Sequence, residues 1–123
     1  MSLRELALVG FGGAAGAIAR YSASLACTSL LGERFPWGTL FVNVVGCFVL
    51  GWLSQTTSIS DATKLAVGTG FLGAFTTFST FGVQTVQTWE RSPLLALGNI
   101  LSNVAIGLAA AVIGIYAAKT WMK

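Results

Sequence analysis

Apolar residues run almost unbroken along this chain, and what divides them is charge. Charged side chains fall at Arg4 and Glu5, Arg20, Glu33 and Arg34, Asp61 and Lys64, Glu90 and Arg91, then Lys119 and Lys123, leaving four long stretches nearly free of them. A helix needs about 20 apolar residues to cross a hydrocarbon layer roughly 30 Å thick. The spacing therefore predicts four transmembrane helices, over about 3–31, 37–55, 62–89 and 93–121. Pro36 and Pro93 suit first-turn positions, where a missing N–H costs nothing, and Ser60 and Ser92 suit N-caps. Trp37, Trp89 and Trp121 fall at predicted helix ends, where an interfacial belt places aromatic rings. With neither a repeat nor a linker, residues 1–123 read as one all-α, four-helix transmembrane domain.

Within these stretches the polar positions are few, and one group stands apart. Thr76-Thr77-Phe78-Ser79-Thr80-Phe81 puts four hydroxyls and two aromatic rings close to the midpoint of the third stretch. Lipid solvates neither a hydroxyl nor an unpaired backbone group, so the cluster must face protein or something that crosses the membrane. Two β-branched threonines after Gly68, Gly70 and Gly73 favour a break in helix 3 over about 74–79, near the bilayer midplane. Such breaks are tolerated where they are buried or line a cavity, and discontinuous helices commonly mark ion sites.

Other polar side chains are Arg20 in helix 1, Thr39 and Asn43 in helix 2, Gln84 and Thr85 one turn beyond the cluster, and Asn99, Ser102 and Asn103 in helix 4. Thr39 and Asn43 share one helix face, as do Asn99, Asn103 and Gly107. Each stripe has two readings: hydrogen bonding between helices, or the lining of a path.

Composition narrows the class. The chain is 54% hydrophobic and 9% charged, with mean hydropathy +0.77, which identifies an integral membrane protein with lipid as its surroundings. The net charge of +3 is too small and too scattered for nucleic-acid binding. The first apolar stretch is too long for a signal-peptide core and is expected to remain as helix 1. Cys27 and Cys47 lack CxxC spacing, and the chain has no histidine to complete a metal site, so both are expected to be buried structural thiols. Gly10, Gly12 and Ala15 satisfy a GxGxxA pattern, but no strand precedes them and a dinucleotide site is not expected. No nucleotide loop, catalytic triad or metal cluster is present, so the chain is not expected to be an enzyme.

Four helices put both termini on one membrane face. Arg4, Lys64, Lys119 and Lys123 then stand on that side, against Arg34 and Arg91 on the other, joined by Arg20 if it is counted. So slight a bias fixes orientation poorly. A chain inserting both ways would build an antiparallel dimer; alternatively, an insertase or a lipid effect settles a single orientation. Four helices also fill their own core and leave little room for an aqueous path, so function calls for an oligomer. Gly12 with Gly16, and Asn103 and Gly107 with Gly114, have the small-residue spacing of close helix contacts.

The available groups favour an anion. Hydroxyls and amide NH₂ groups donate hydrogen bonds, Arg20 supplies positive potential, and the edges of Phe78 and Phe81 carry positive quadrupole character. No acid lies near mid-span, which disfavours a proton-coupled carrier and favours passive conduction.

Three segments carry a resemblance: Gly13-Ala14-Ala15-Gly16-Ala17 leading to Arg20-Tyr21, Trp37-Gly38-Thr39-Leu40-Phe41-Val42-Asn43, and above all Gly70-Phe71-Leu72-Gly73-Ala74-Phe75-Thr76-Thr77-Phe78-Ser79-Thr80-Phe81. Together they closely resemble the Fluc (CrcB-type) fluoride channels. The resemblance implies an antiparallel, dual-topology homodimer in the plasma membrane of a microbe, with two fluoride pores relieving fluoride toxicity and a central structural Na⁺. By motif position the backbone carbonyls of Gly73 and Thr76 would hold the Na⁺. Phe78 and Phe81 would line the pores, Asn43 would be the pore asparagine, and Arg20 would stand near the aqueous entrance. Ser79, Thr80, Thr39 and Asn103 would complete the polar lining. The chain departs from the family's common pattern at Gln84, where Glu is usual, at Gly82, where Ser or Thr is usual, and at Asn103 and Gly107 in helix 4. Two competing readings are a small multidrug-type proton-coupled exporter and a non-conducting membrane assembly subunit.

Overall fold

The computed structural model describes residues 2–121, and every regular element among them is helical. In chain order these are α1 (Leu3–Leu31), α2 (Trp37–Gln55), α3 (Asp61–Lys64), a π-helical stretch (Leu65–Leu72), α4 (Gly73–Phe75), α5 (Phe78–Arg91), α6 (Pro93–Leu101), a second π-helical stretch (Ser102–Ile106) and α7 (Gly107–Trp121). They compose four spans long and apolar enough to cross a membrane: Leu3–Leu31, Trp37–Gln55, Asp61–Arg91 and Pro93–Trp121. The protein is thus an all-α, multi-pass membrane protein. Lys123, counted above among the basic flanks, lies outside the described residues.

Local chemistry sets the helix ends. Ser2 and Glu5 form a reciprocal capping box at the start of α1, with Glu5 N–H donating to Ser2 Oγ at 3.2 Å and Ser2 N–H to Glu5 Oε2 at 2.6 Å. At the other end Gly32 has φ 80°, a left-handed conformation that disfavours any side chain. Ser60 and Ser92 cap α3 and α6, accepting from Thr63 N–H at 3.2 Å and Leu95 N–H at 3.4 Å. Pro93 occupies the first turn of α6. Pro36 departs from expectation: it is the N-cap of α2, one position outside the helix. Trp37 N–H donates to the Phe35 carbonyl at 2.8 Å, so a tight turn precedes the first helical residue.

Small residues let the spans approach backbone to backbone. A Cβ added at Gly16 would meet the backbone of Phe71, and one at Gly114 would meet the Phe48 carbonyl. These contacts lock α1 onto the first π-helical stretch and α7 onto α2. In that stretch the Gly73 N–H reaches back five residues to the Gly68 carbonyl, the wide winding of a π-helix. Val42, Leu53, Leu72 and Phe75 form the buried core, flanked by Ala19, Ala23, Val45, Val49, Ile59, Val67 and Phe71. Many large apolar side chains, Phe11, Ile18 and Leu94 among them, instead point outward, as a lipid-facing surface requires. The expectation of buried thiols is corrected: Cys27 and Cys47 are free and only partly covered, and both line cavities on the flanks of α2.

Between α4 and α5 the helical winding lapses for two residues. Thr76 (φ −84°, ψ 159°) and Thr77 (φ −154°, ψ 116°) are both extended. Everything of chemical interest gathers around this pair.

Candidate functional site

The two extended residues are held by hydrogen bonds from outside their own helix. Thr77 N–H, which would otherwise close a helical turn onto the Gly73 carbonyl, donates to Asn43 Oδ1 at 2.9 Å. Asn43 Nδ2 returns a bond to the Thr77 carbonyl at 3.2 Å, so one α2 amide satisfies both polar groups of one peptide residue. Thr77 also caps α5: its Oγ1 accepts from Thr80 N–H at 3.2 Å and donates to Thr80 Oγ1 at 3.0 Å. Thr80 N–H would otherwise serve the Thr76 carbonyl. The carbonyls of Gly73 and Thr76 are therefore both released from the i+4 partners a continuous helix would give them. α2 can approach this closely because residue 46 is glycine; a Cβ there would meet Thr76 Cγ2.

The released carbonyls thus stand where α4 ends, two residues before the first turn of α5. The C-terminal end of α4 carries partial negative charge, whereas the N-terminus of α5 carries partial positive charge. Immediately beyond that N-terminus stand Phe78 and Phe81, ring centroids 5.6 Å apart and tilted by 51°. Phe78 is 82% exposed in the single chain and stands on the outer face of the bundle. Ser79 and Thr80 lie beside it, the Ser79 hydroxyl 3.5 Å from that of Thr77. Because Thr80 accepts from Thr77, its own proton is left to give.

Two cavities flank this centre. One, of about 320 Å³, is walled by Asn43, Gly73, Thr76, Thr77, Phe78, Phe81 and Asn103 and continues past Cys47 and Leu50. It brings together six of the residues singled out from sequence: Asn43, Gly73, Thr76, Phe78, Phe81 and Asn103. The other, of about 260 Å³, lies between the α1–α2 connection and α5, where Ser24, Thr28, Thr39, Gln84, Gln87 and Thr88 line it with Glu33 and Arg91 at its rim. Thr39 belongs to this second cavity. It is buried, and its hydroxyl donates to Gln84 Oε1 at 2.6 Å, which leaves the Gln84 NH₂ free. Arg20 is partly buried on α1 and lines neither cavity.

Asn43 differs from the expectation of an amide offered to an ion. One amide proton goes to the Thr77 carbonyl and the other to Asn103 Oδ1 at 3.0 Å, so both are spent within the chain. Asn103 Nδ2 is likewise committed, to the Asn99 carbonyl at 3.0 Å and Asn99 Oδ1 at 2.9 Å. Among the described residues no buried side-chain nitrogen or oxygen lacks a partner. Donors left for something else include the Thr80 hydroxyl and the amide of Gln84; the Ser79 hydroxyl can only donate toward Thr77 Oγ1, 3.5 Å away, because the Thr77 proton goes to Thr80. Sequence reading undervalued three residues: Thr77 as cap and clamp, fully buried Asn99, and Thr85, which accepts from Asn99 Nδ2 at 2.8 Å. The signal for Asn99 was its i, i+4 relation to Asn103; for Thr77 nothing in the sequence distinguishes it from Thr76.

Comparison with known proteins gives a consistent neighbourhood. The family described as CrcB-like protein, Camphor Resistance (CrcB) matches residues 7–115. Among similar curated proteins, one from Dehalococcoides mccartyi is 46% identical over 117 residues, covering 91% of this chain and 90% of the relative. One from Vibrio campbellii is 43% identical over 117 residues, covering 91% and 92%. One from Magnetococcus marinus is 46% identical over 116 residues, covering 90% and 94%. All three bear the name fluoride-specific ion channel FluC.

Proposed function

The chain belongs to the CrcB-like family, and from that premise we propose that it is a fluoride-selective channel through which fluoride leaves the cell passively. One observation carries this reading: Phe78 and Phe81 stand with the unspent Thr80 hydroxyl at a helix N-terminus within a membrane span. Fluoride is small and strongly hydrated, so a pore must replace its water by close, directed donors. Ser79 and Thr80 hydroxyls, the positive edges of Phe78 and Phe81, and the N-terminal end of α5 supply that replacement. Asn43 and Asn103 wall the path, Thr39 and Gln84 line its polar mouth, and Arg20 raises the potential near an entrance. A narrow path of this kind penalises the larger chloride. The acids Glu5, Glu33, Asp61 and Glu90 all lie at span ends, so no mid-membrane carboxylate is at hand to couple flux to protons. Efflux of this kind protects a cell against fluoride that has entered as neutral HF.

The assembly that goes with this reading is an antiparallel, dual-topology homodimer, with the extended pair Thr76–Thr77 forming a break of helix 3 near the bilayer midplane. The exposure of Phe78, the open flank of the 320 Å³ cavity beside it and the near balance of flanking charge support it. A second copy would complete two pores, each chain giving its rings to both. It would also double the two released carbonyls of Gly73 and Thr76. A set of four neutral carbonyl oxygens suits a hard monovalent cation, and a structural Na⁺ at the dimer centre is proposed on that donor chemistry. When bound, such an ion supplies fixed positive charge between the two copies. Among the described residues no group of three His, Cys, Asp or Glu side chains offers a competing metal site.

Purified protein in liposomes loaded with fluoride or chloride tests the function. Fluoride release without chloride release is expected. Comparable chloride release would sink selectivity, release that requires a pH gradient would favour a proton-coupled exporter, and no release would favour an assembly subunit.

A further inference from the structure

Around the site runs a chain of side-chain hydrogen bonds whose direction is fixed from one end. Thr77 N–H can only donate and the Thr77 carbonyl can only accept, so Asn43 must present Oδ1 to the first, at 2.9 Å, and Nδ2 to the second, at 3.2 Å. The remaining Asn43 amide proton needs an acceptor, which orients Asn103 with Oδ1 toward it at 3.0 Å. Asn103 must then donate onward, and it does so to Asn99 Oδ1 at 2.9 Å, with the Asn99 carbonyl as a second acceptor at 3.0 Å. This orients Asn99, whose Nδ2 donates to Thr85 Oγ1 at 2.8 Å. Thr85, having accepted, gives its own proton to the Phe81 carbonyl at 2.7 Å. Reversing Asn43 or Asn103 would set donor against donor and acceptor against acceptor along its bonds, and reversing Asn99 would set donor against donor at Asn103.

The relay crosses from α2 to the fourth span and back to α5, and its ends lie on either side of Phe78. One end is the Thr77 peptide, the other the carbonyl of Phe81. Its hub is Asn99, with no solvent exposure at all. Aligned donors of this kind polarise one another in low dielectric, and a partly broken network is costlier than its pairwise bonds suggest. Resting on the fluoride-channel reading above, we propose that Asn99 and Thr85 are positioning residues for fluoride selectivity. Neither touches the ion. Through the relay they tie the start of α5, from the Thr77 peptide to the Phe81 carbonyl, to α2 and the fourth span, and so set where the two rings and the unspent Thr80 hydroxyl stand relative to those neighbours. Asn43 and Asn103 then act at the site chiefly as relay members, since their amide protons are already spent.

Thr85→Val removes the hydroxyl at nearly constant shape, and Thr85→Ser keeps it. Fluoride and chloride release from liposomes are measured for both beside the wild-type chain, with dimer content checked by size-exclusion chromatography. Losing a buried hydrogen-bond partner is expected to slow fluoride release roughly tenfold in Thr85→Val and to lower the fluoride-to-chloride ratio, with Thr85→Ser within about twofold of wild type. The ratio is the deciding readout, because a side chain that only supports packing would change yield or stability and leave it alone. Asn99→Leu, whose apolar side chain a membrane bundle accepts, carries the same expectation and decides the matter if Thr85→Val assembles poorly. An unchanged fluoride-to-chloride ratio in either assembled variant, whatever its rate, overturns the relay and leaves the channel standing. Failure of the wild-type chain itself to release fluoride overturns the channel reading, and the relay's role with it.

Discussion

The third span is two different materials joined at Thr76 and Thr77. Before the junction, residues 65–75 are apolar and glycine-rich, π-wound for most of their length, and pressed against α1 so closely that Gly16 meets the Phe71 backbone. After it, α5 is amphipathic, with no fully buried residue and a face of hydroxyls and amides. The first half is fixed by packing, and its polar backbone groups are its only chemistry. The second is held by caps, by Asn43 and by the fourth span, and leaves the Thr80 hydroxyl and the Gln84 amide unspent. A membrane site needs both: irregular backbone is tolerable only because a rigid neighbour seals it from lipid.

That contrast breaks most easily at the rings. Phe78→Ile and Phe81→Ile keep apolar bulk and remove the aromatic edges, and each is expected to cut fluoride flux on the order of 100-fold, about 2.7 kcal/mol on the barrier. Size-exclusion chromatography should still show the wild-type assembly, and undiminished flux in both variants would remove the rings from the mechanism. The scaffold half should respond in the opposite sense. Gly16→Ala forces a methyl group into the Phe71 backbone, an overpacking expected to cost about 2 kcal/mol. It should appear as a lower thermal midpoint in detergent, with the fluoride-to-chloride ratio of the surviving protein unchanged.

Smaller effects sharpen the boundary within α5. Gln84→Leu deletes both the acceptor for Thr39 and the free amide lining the second cavity, and a several-fold loss of flux is expected, about 1 kcal/mol. Gln84→Glu keeps the acceptor but has no amide to give, so flux equal to wild type in that variant and loss in Gln84→Leu would assign the role to the Thr39 bond alone. Smallest is Gly82→Ala: nothing lies within 4 Å of the added methyl, and helix propensity favours alanine by about 0.5–1 kcal/mol. Slightly raised thermal stability with unaltered flux is the expected result, and it would show that the departure at this position carries no load in conduction.

The spans were legible in the sequence because lipid imposes one rule on every outward residue, so length and charge placement suffice. The hydroxyl cluster was legible for the same reason, as polar groups where lipid cannot solvate them. What escaped was pairing at long range. Thr39 meets Gln84 and Asn43 meets Thr77, 45 and 34 residues apart, and each depends on how helices are rotated against one another. A shared face on one helix is visible as i, i+4 spacing; which helix that face turns toward is not. Thus Asn99 and Asn103 read correctly as a stripe, yet nothing pointed the stripe at Thr85. The π-helical stretches escaped too, since a one-residue widening leaves the apolar pattern of Leu65–Leu72 almost unchanged.

On the reading proposed above, the half of the span beginning at Phe78 forms a passive path selective for fluoride. Reversal potential tests it most directly, with purified protein in a planar bilayer, fluoride on one side and chloride on the other. The potential is expected to follow the fluoride gradient and to ignore an imposed pH gradient. A potential near zero, or one that moves with pH, would contradict the account.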